Sequence, residues 1–206
     1  MTRSEILAAI EALYNECDIP PPSVAFPIAP LGPLLDNMAI LWTELPGLTS
    51  DLAEKHLMQK GGLREPFPAG VTNTTPLSGF LYIAGGSMAH VFLRREDVLV
   101  RRRFSLAHEL GHIRLHFSPE AEVFHDRFGV EEGDEEKAHL ERESEANQFA
   151  AELLLPEAVV RDLADKGKCE GFWGPGLAEE LAMQMLVSRE AMLKRLGDLK
   201  IDMEAI

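Results

Sequence analysis

The chain has 206 residues, 46% of them hydrophobic and 26% charged, enough apolar content for a buried core, which excludes global disorder. Its net charge of −14 excludes binding to nucleic acid or an anionic membrane through bulk charge and suits a basic protein partner. The two cysteines, Cys17 and Cys169, are too few and too far apart for a disulfide framework, which points to a reducing compartment.

Ile6, Ile10, Leu13 and Tyr14 recur at helical spacing and predict an amphipathic helix over 3–16. Glu5 and Glu11 interrupt any signal-peptide apolar region, and no later apolar run approaches a membrane span, so a soluble cytoplasmic protein is expected. Six prolines between Pro20 and Pro33 predict an extended connector with no helix inside it. "LLDNMAILWTEL" reads as a second helix ending at Pro46-Gly47. "SDLAEKHLMQK" reads as a third, capped near Ser50 and stopped at Gly61-Gly62.

Phe80 to Ala84 and Ala89 to Leu93 are short apolar runs around Gly85-Gly86-Ser87, the pattern of a hairpin. A helix over 102–117 follows, closed by Ser118-Pro119. Residues 120–145 are dense in acid and read as a solvated loop leading into a helix. "ERESEANQFAAELLLP" is helical. Pro156 either ends that helix or begins the next, "EAVVRDLADKG". The last stretch, "LAEELAMQMLVSREAMLKRLGDL", holds two helices with Ser188 as an N-cap. Cys17 and Cys169 read as buried apolar residues.

The chemistry is concentrated in "RRRFSLAHELGHIRLHF", residues 101–117. His108-Glu109-Leu110-Gly111-His112 has the HExxH form. Residues four apart share a helix face, so both imidazoles reach one ion, and neutral imidazole suits zinc. Glu109 is rotated about 100° from His108, so it flanks the metal without binding it, where a general base belongs. Gly111 permits close approach of another element. Leu106, Leu110 and Ile113 make this a core-packed helix, and histidines buried there need a partner.

A catalytic zinc takes a third protein ligand and keeps an open position. His116 lies about 12 Å along the axis from His108, too far for one ion on a straight helix. It reads as a residue supporting the ligands from behind, a helix cap or a core residue. Glu141, Glu143 and Glu145 are the acidic candidates on the downstream helix. Glu143 is preferred, because it shares a face with Asn147, which can hold the far nitrogen of a ligand histidine. Glu145 lies about 200° away from Glu143, so both cannot face the metal. Ala150 and Ala151 continue toward the same side and are small enough for two helices to approach.

These stretches, with "ESEANQFAAELLLP" and "VSREAMLKRL", resemble the ImmA/IrrE family of zinc metallopeptidases, and the preceding "LSGFLYIAGG…HVFL" resembles that family's strand pair. The resemblance runs from about 77 to 200. It leaves the first sixty residues and the acidic insert unmatched. It implies a gluzincin-like, mainly helical α+β protein, with a small antiparallel sheet packed on the HExxH helix and on a second, glutamate-bearing helix, and a C-terminal helical pair. The expected division is an N-terminal extension over 1–60, a metallopeptidase core over 61–166 and a C-terminal helical subdomain over 167–206. Carried over by motif, His108, His112 and Glu143 hold Zn2+ and Glu109 is the base; Asn147 and His116 keep the supporting places read from helix spacing.

The resemblance also implies the activity: a zinc-dependent endopeptidase that cleaves a helix-turn-helix (Xre-type) repressor by Glu-assisted attack of zinc-bound water, in stress response or mobile-element regulation. Tyr82, His125 and His139 are candidates to stabilise the oxyanion. The alternative is a non-cleaving zinc module that binds a repressor or antitoxin, against which an intact Glu109 counts. A DNA-reading role for the C-terminal helices meets too few positive charges, Lys194 and Arg195 against Glu179, Glu180 and Glu190. The expected partner is therefore a repressor protein, with no direct contact to nucleic acid or membrane.

Overall fold

The computed structural model describes residues 1–63, 65–67, 72–84, 88–117 and 134–204. Helix α1 (Arg3–Glu16) opens with a capping box: Thr2 and Glu5 each accept from the other's backbone N–H. Its buried face is Ile6, Ile10, Leu13 and Tyr14, as the spacing predicts. The proline-rich stretch stays non-helical up to α2 (Leu31–Asn37). Pro33 stands inside the first turn of α2, where the missing N–H has no partner to lose, so the connector ends sooner than expected.

The helix predicted over 34–45 is corrected. The chain turns at Met38 and Ala39, the latter at φ 54, and enters strand β1 (Leu41–Leu45). Leu41, Trp42 and Thr43 suit a pleated strand, and their partner lies some fifty residues downstream, where Trp42 pairs with Val91 and Leu45 with Arg94. Helix α3 (Ser50–Lys60) is capped by Thr49 and stopped by Gly61, whose φ of 73 favours glycine.

Strands β2 (Gly79–Ala84) and β3 (Met88–Arg94) form the expected antiparallel pair, Phe80 opposite Phe92 and Tyr82 opposite His90. The turn residues Gly85, Gly86 and Ser87 lie outside the described residues. With β1 parallel to β3, the sheet has the order β1-β3-β2 and is mixed rather than purely antiparallel. Side chains alternate across it. Leu81, Ile83, Val91 and Leu93 join the main core, while Phe80, Tyr82 and Phe92 form a second cluster with Leu48, Ala53 and Leu57 beneath α3. Full burial of one such side chain contributes about 1.5–3 kcal/mol.

Helix α4 (Leu99–Leu115) starts three residues earlier than predicted and packs on the main-core face. Helix α5 (Asp134–Leu154) begins inside the stretch read as an acidic loop. Residues 118–133, His125 among them, lie outside the described residues. Pro156 caps α6 (Glu157–Cys169), which runs two residues beyond its predicted end. Helices α7 (Gly174–Met185) and α8 (Arg189–Asp198) follow, with Ser188 Oγ accepting from Ala191 N–H as the predicted cap. They bury Leu177, Leu181, Met185, Met192 and Leu196 in the main core.

A buried ion pair ties three of these helices together. Arg195 donates to Glu152 and to the Leu155 carbonyl, and Arg3 donates to the same Glu152 at 2.6 Å. Neither cysteine is in a disulfide. Cys17 is buried, but Cys169 at the end of α6 is exposed, against the sequence reading. Among the described residues no helix is long and apolar enough to cross a membrane.

Candidate metal centre

Helices α4 and α5 pack closely at Gly111. A Cβ there would lie 3.2 Å from the Cα and carbonyl oxygen of Ala146 and from the Cβ of Phe149. Glycine on one side and a buried alanine on the other let the two backbones approach closely. The crossing point fixes the site, because Glu143 and Asn147 flank Ala146 on α5, and His108 and His112 flank Gly111 on α4.

The two Nε2 atoms of His108 and His112 lie 2.9 Å apart. Glu143 Oε1 is 3.0 Å from His112 Nε2, and Glu143 Oε2 is 3.3 Å from His108 Nε2. All the ligand-type atoms of His108, His112 and Glu143 fall within 4.8 Å of one another, so these three residues could hold a metal ion. Glu143 Oε1 is buried and close to His112 without the geometry of a hydrogen bond. Lone pairs and a carboxylate crowd a site where His112 is only 2% exposed. A cation at their centre turns that crowding into attraction, and two imidazoles with one carboxylate suit a borderline divalent ion. Burial pushes the Glu143 carboxyl up, but its contacts with His108 and His112 outweigh burial and hold it well below the usual carboxylate range.

Both imidazoles have a second contact on the far nitrogen. His108 Nδ1 lies 3.1 Å from Asn147 Oδ1. His112 Nδ1 lies 3.1 Å from His116 Nδ1, and His116 Nε2 lies 2.9 Å from Glu145 Oε2. The other Glu145 oxygen meets the α-amino group of Met1. Burial, followed by the neighbouring His112 and Arg142, pushes the His116 imidazole down to about 4.

Glu109 is 2% exposed and stands outside the three-residue donor set. It lines a cleft of about 400 Å³ with His108, Ser105 and Gly79. A Cβ on Gly79 would lie 2.5 Å from Glu109 Oε1, so the start of β2 rests against this carboxylate. The cleft shares Arg101, Phe104, Glu143 and Asn147 with a larger groove of about 1190 Å³ that runs along α5 to α8.

The structure thus brings His108, Glu109, His112, His116, Glu143 and Asn147 to one place. It does not bring Tyr82 there: its ring is buried on the other sheet face, 5.5 Å from Phe67. His139 is half-buried on α5 and lines neither cavity, and Glu141 is exposed. Sequence reasoning missed Gly79, Ser105 and Arg101. The last two precede His108 by three and seven residues, so helical period alone puts them on its face. Gly79 left no local signal.

A protein-family model described as the IrrE N-terminal-like domain, a peptidase family, matches residues 72–197, more than half of the chain. No curated protein matches the sequence.

Proposed function

The chain belongs to the IrrE N-terminal-like family of peptidases, and on that basis we propose that it is a zinc-dependent endopeptidase whose substrate is a helix-turn-helix transcriptional repressor. The observation that carries the reading is the buried Glu109 carboxylate beside, but not within, the His108–His112–Glu143 donor set. A purely structural metal site has no use for a base next to an open cleft.

In this reading His108, His112 and Glu143 hold the ion. Bound there, zinc supplies Lewis acidity, lowering the pKa of a water to roughly 7 and polarising the scissile carbonyl. Glu109 takes the proton of the attacking water and later passes it to the leaving amide nitrogen. Arg101, 3.2 Å from Ser78 Oγ at the rim of the cleft, offers a cation to an entering carbonyl or carboxylate. The groove toward α8 exceeds the usual 300–1,000 Å³ or so of a small-molecule site and has room for a polypeptide flanking the scissile bond.

The repressor as substrate is what the ImmA/IrrE resemblance implies. The net charge of −14 supports it, because DNA-binding proteins carry basic surfaces. Incubation of the zinc-loaded protein with helix-turn-helix repressors encoded beside its gene should give discrete cleavage products that disappear when a chelator is added. If none of those repressors is cut while zinc is bound, the repressor assignment fails.

Gly79 offers a finer test of the same chemistry. The atom that a new Cβ would meet is the end of a flexible side chain, so Gly79→Ala should fold and keep zinc while pushing the Glu109 carboxylate out of line. A loss of about tenfold or more in kcat, with unchanged melting temperature, is expected. An unaltered kcat would show that the Glu109 position is not critical.

A further inference from the structure

We infer that Glu145 and His116 form a positioning pair that fixes the tautomer of His112 in its metal-binding form. This pair depends on the metal-centre part of the proposed function and not on proteolysis.

A carboxylate only accepts hydrogen bonds, so at 2.9 Å from Glu145 Oε2 the His116 Nε2 must donate. In a neutral ring, His116 Nδ1 then carries the lone pair. The next contact, 3.1 Å to His112 Nδ1, needs a hydrogen on the His112 side. With its proton on Nδ1, His112 presents the lone pair of Nε2 to His108 and Glu143, the orientation a metal ligand needs. Reversing either hydrogen bond would leave His112 Nε2 protonated and facing the other donors. The side chain of His116 is 6% exposed, so few alternative ring positions are open to it.

The two ligand histidines are therefore held by different devices. Asn147 serves His108 with a single amide oxygen from α5. His112 is served by a relay of two residues, of which His116 stands at the C-cap of α4 and Glu145 comes from α5. Glu145 is two residues from Glu143 and so leaves α5 on a different side. It acts on the ion only through two rings.

The test is the zinc affinity of the full chain, measured by competition with a chromophoric chelator. Metal-free melting curves serve as the folding control. His116→Ala should weaken zinc binding by about 10–100-fold, the usual range for such supporting contacts. Glu145→Ala should weaken it to a similar or smaller extent, and Glu145→Gln should recover most of the loss, because its amide oxygen still accepts from His116 Nε2. The double variant should be no weaker than His116→Ala alone, since Glu145 acts only through His116. Glu145→Ala combined with Asn147→Ala should instead multiply the two single effects, because they act on different rings.

Independent, multiplying effects of Glu145 and His116 would overturn the relay. So would unchanged affinity in both single variants, or a loss in Glu145→Ala as complete as in Glu143→Ala. If His116→Ala does not fold, the comparison of Glu145→Ala with Glu145→Gln carries the decision. A wild-type chain that binds no zinc would instead overturn the metal centre itself.

Discussion

Glu109→Gln is expected to leave zinc bound at wild-type level and to stop hydrolysis. Gln has nearly the shape of Glu, so the 2% exposed position keeps its packing and Gly79 keeps its neighbour. The donor set of His108, His112 and Glu143 is untouched, so metal content should not change. What disappears is a carboxylate able to accept and return a proton, and such groups contribute typically 10²–10⁴-fold to rate. Cleavage of a repressor substrate should fall by at least that range, with KM little altered, because the substrate still meets the same cleft. The measurement pairs product formation with metal analysis on one preparation. Near-wild-type cleavage by the Gln variant would remove Glu109 from the mechanism.

Glu143→Ala should lose most of its zinc on dialysis, and all activity with it. Two imidazoles remain, and a site of two protein ligands holds zinc far more weakly than one of three. Glu145→Ala should keep bound zinc under the same dialysis, since it touches the site only through His116, and His116→Ala should fall between the two. The order of retained metal among these four proteins is therefore wild type, Glu145→Ala, His116→Ala and Glu143→Ala, from most to least. Retention of zinc by Glu143→Ala together with its loss from Glu145→Ala would exchange the two roles.

Much of this site is legible in the sequence because helix geometry is local. His108 and His112 are four residues apart, and a single turn of hydrogen-bonded backbone stacks them whatever the rest of the chain does. The same period relates Glu143 to Asn147 on α5 and puts Arg101 and Ser105 on the face of His108. The hairpin of β2 and β3 is legible for a similar reason, since its two apolar runs are neighbours in sequence. Caps such as Ser188 and stops such as Gly61 are choices of one or two residues.

The rest depends on elements far apart in the chain. Leu41 to Leu45 became a strand because β3, some fifty residues later, completes its hydrogen bonds in parallel, and no local pattern announces that partner. Tyr82 left the list of cleft residues because register put its side chain on the sheet face under α3. The roles of Glu143 and Glu145 were separable by helix rotation only in part. Rotation says that the two carboxylates diverge, but not which of them meets the two imidazoles. That was decided where Gly111 lets α4 rest against Ala146, since the depth and angle of this one contact aim Glu143 at the histidine Nε2 atoms and carry Glu145 past them to His116. Periodicity along one helix is set by its own backbone, whereas the relation between two helices is set by the side chains that pack between them, and only the folded chain brings those together.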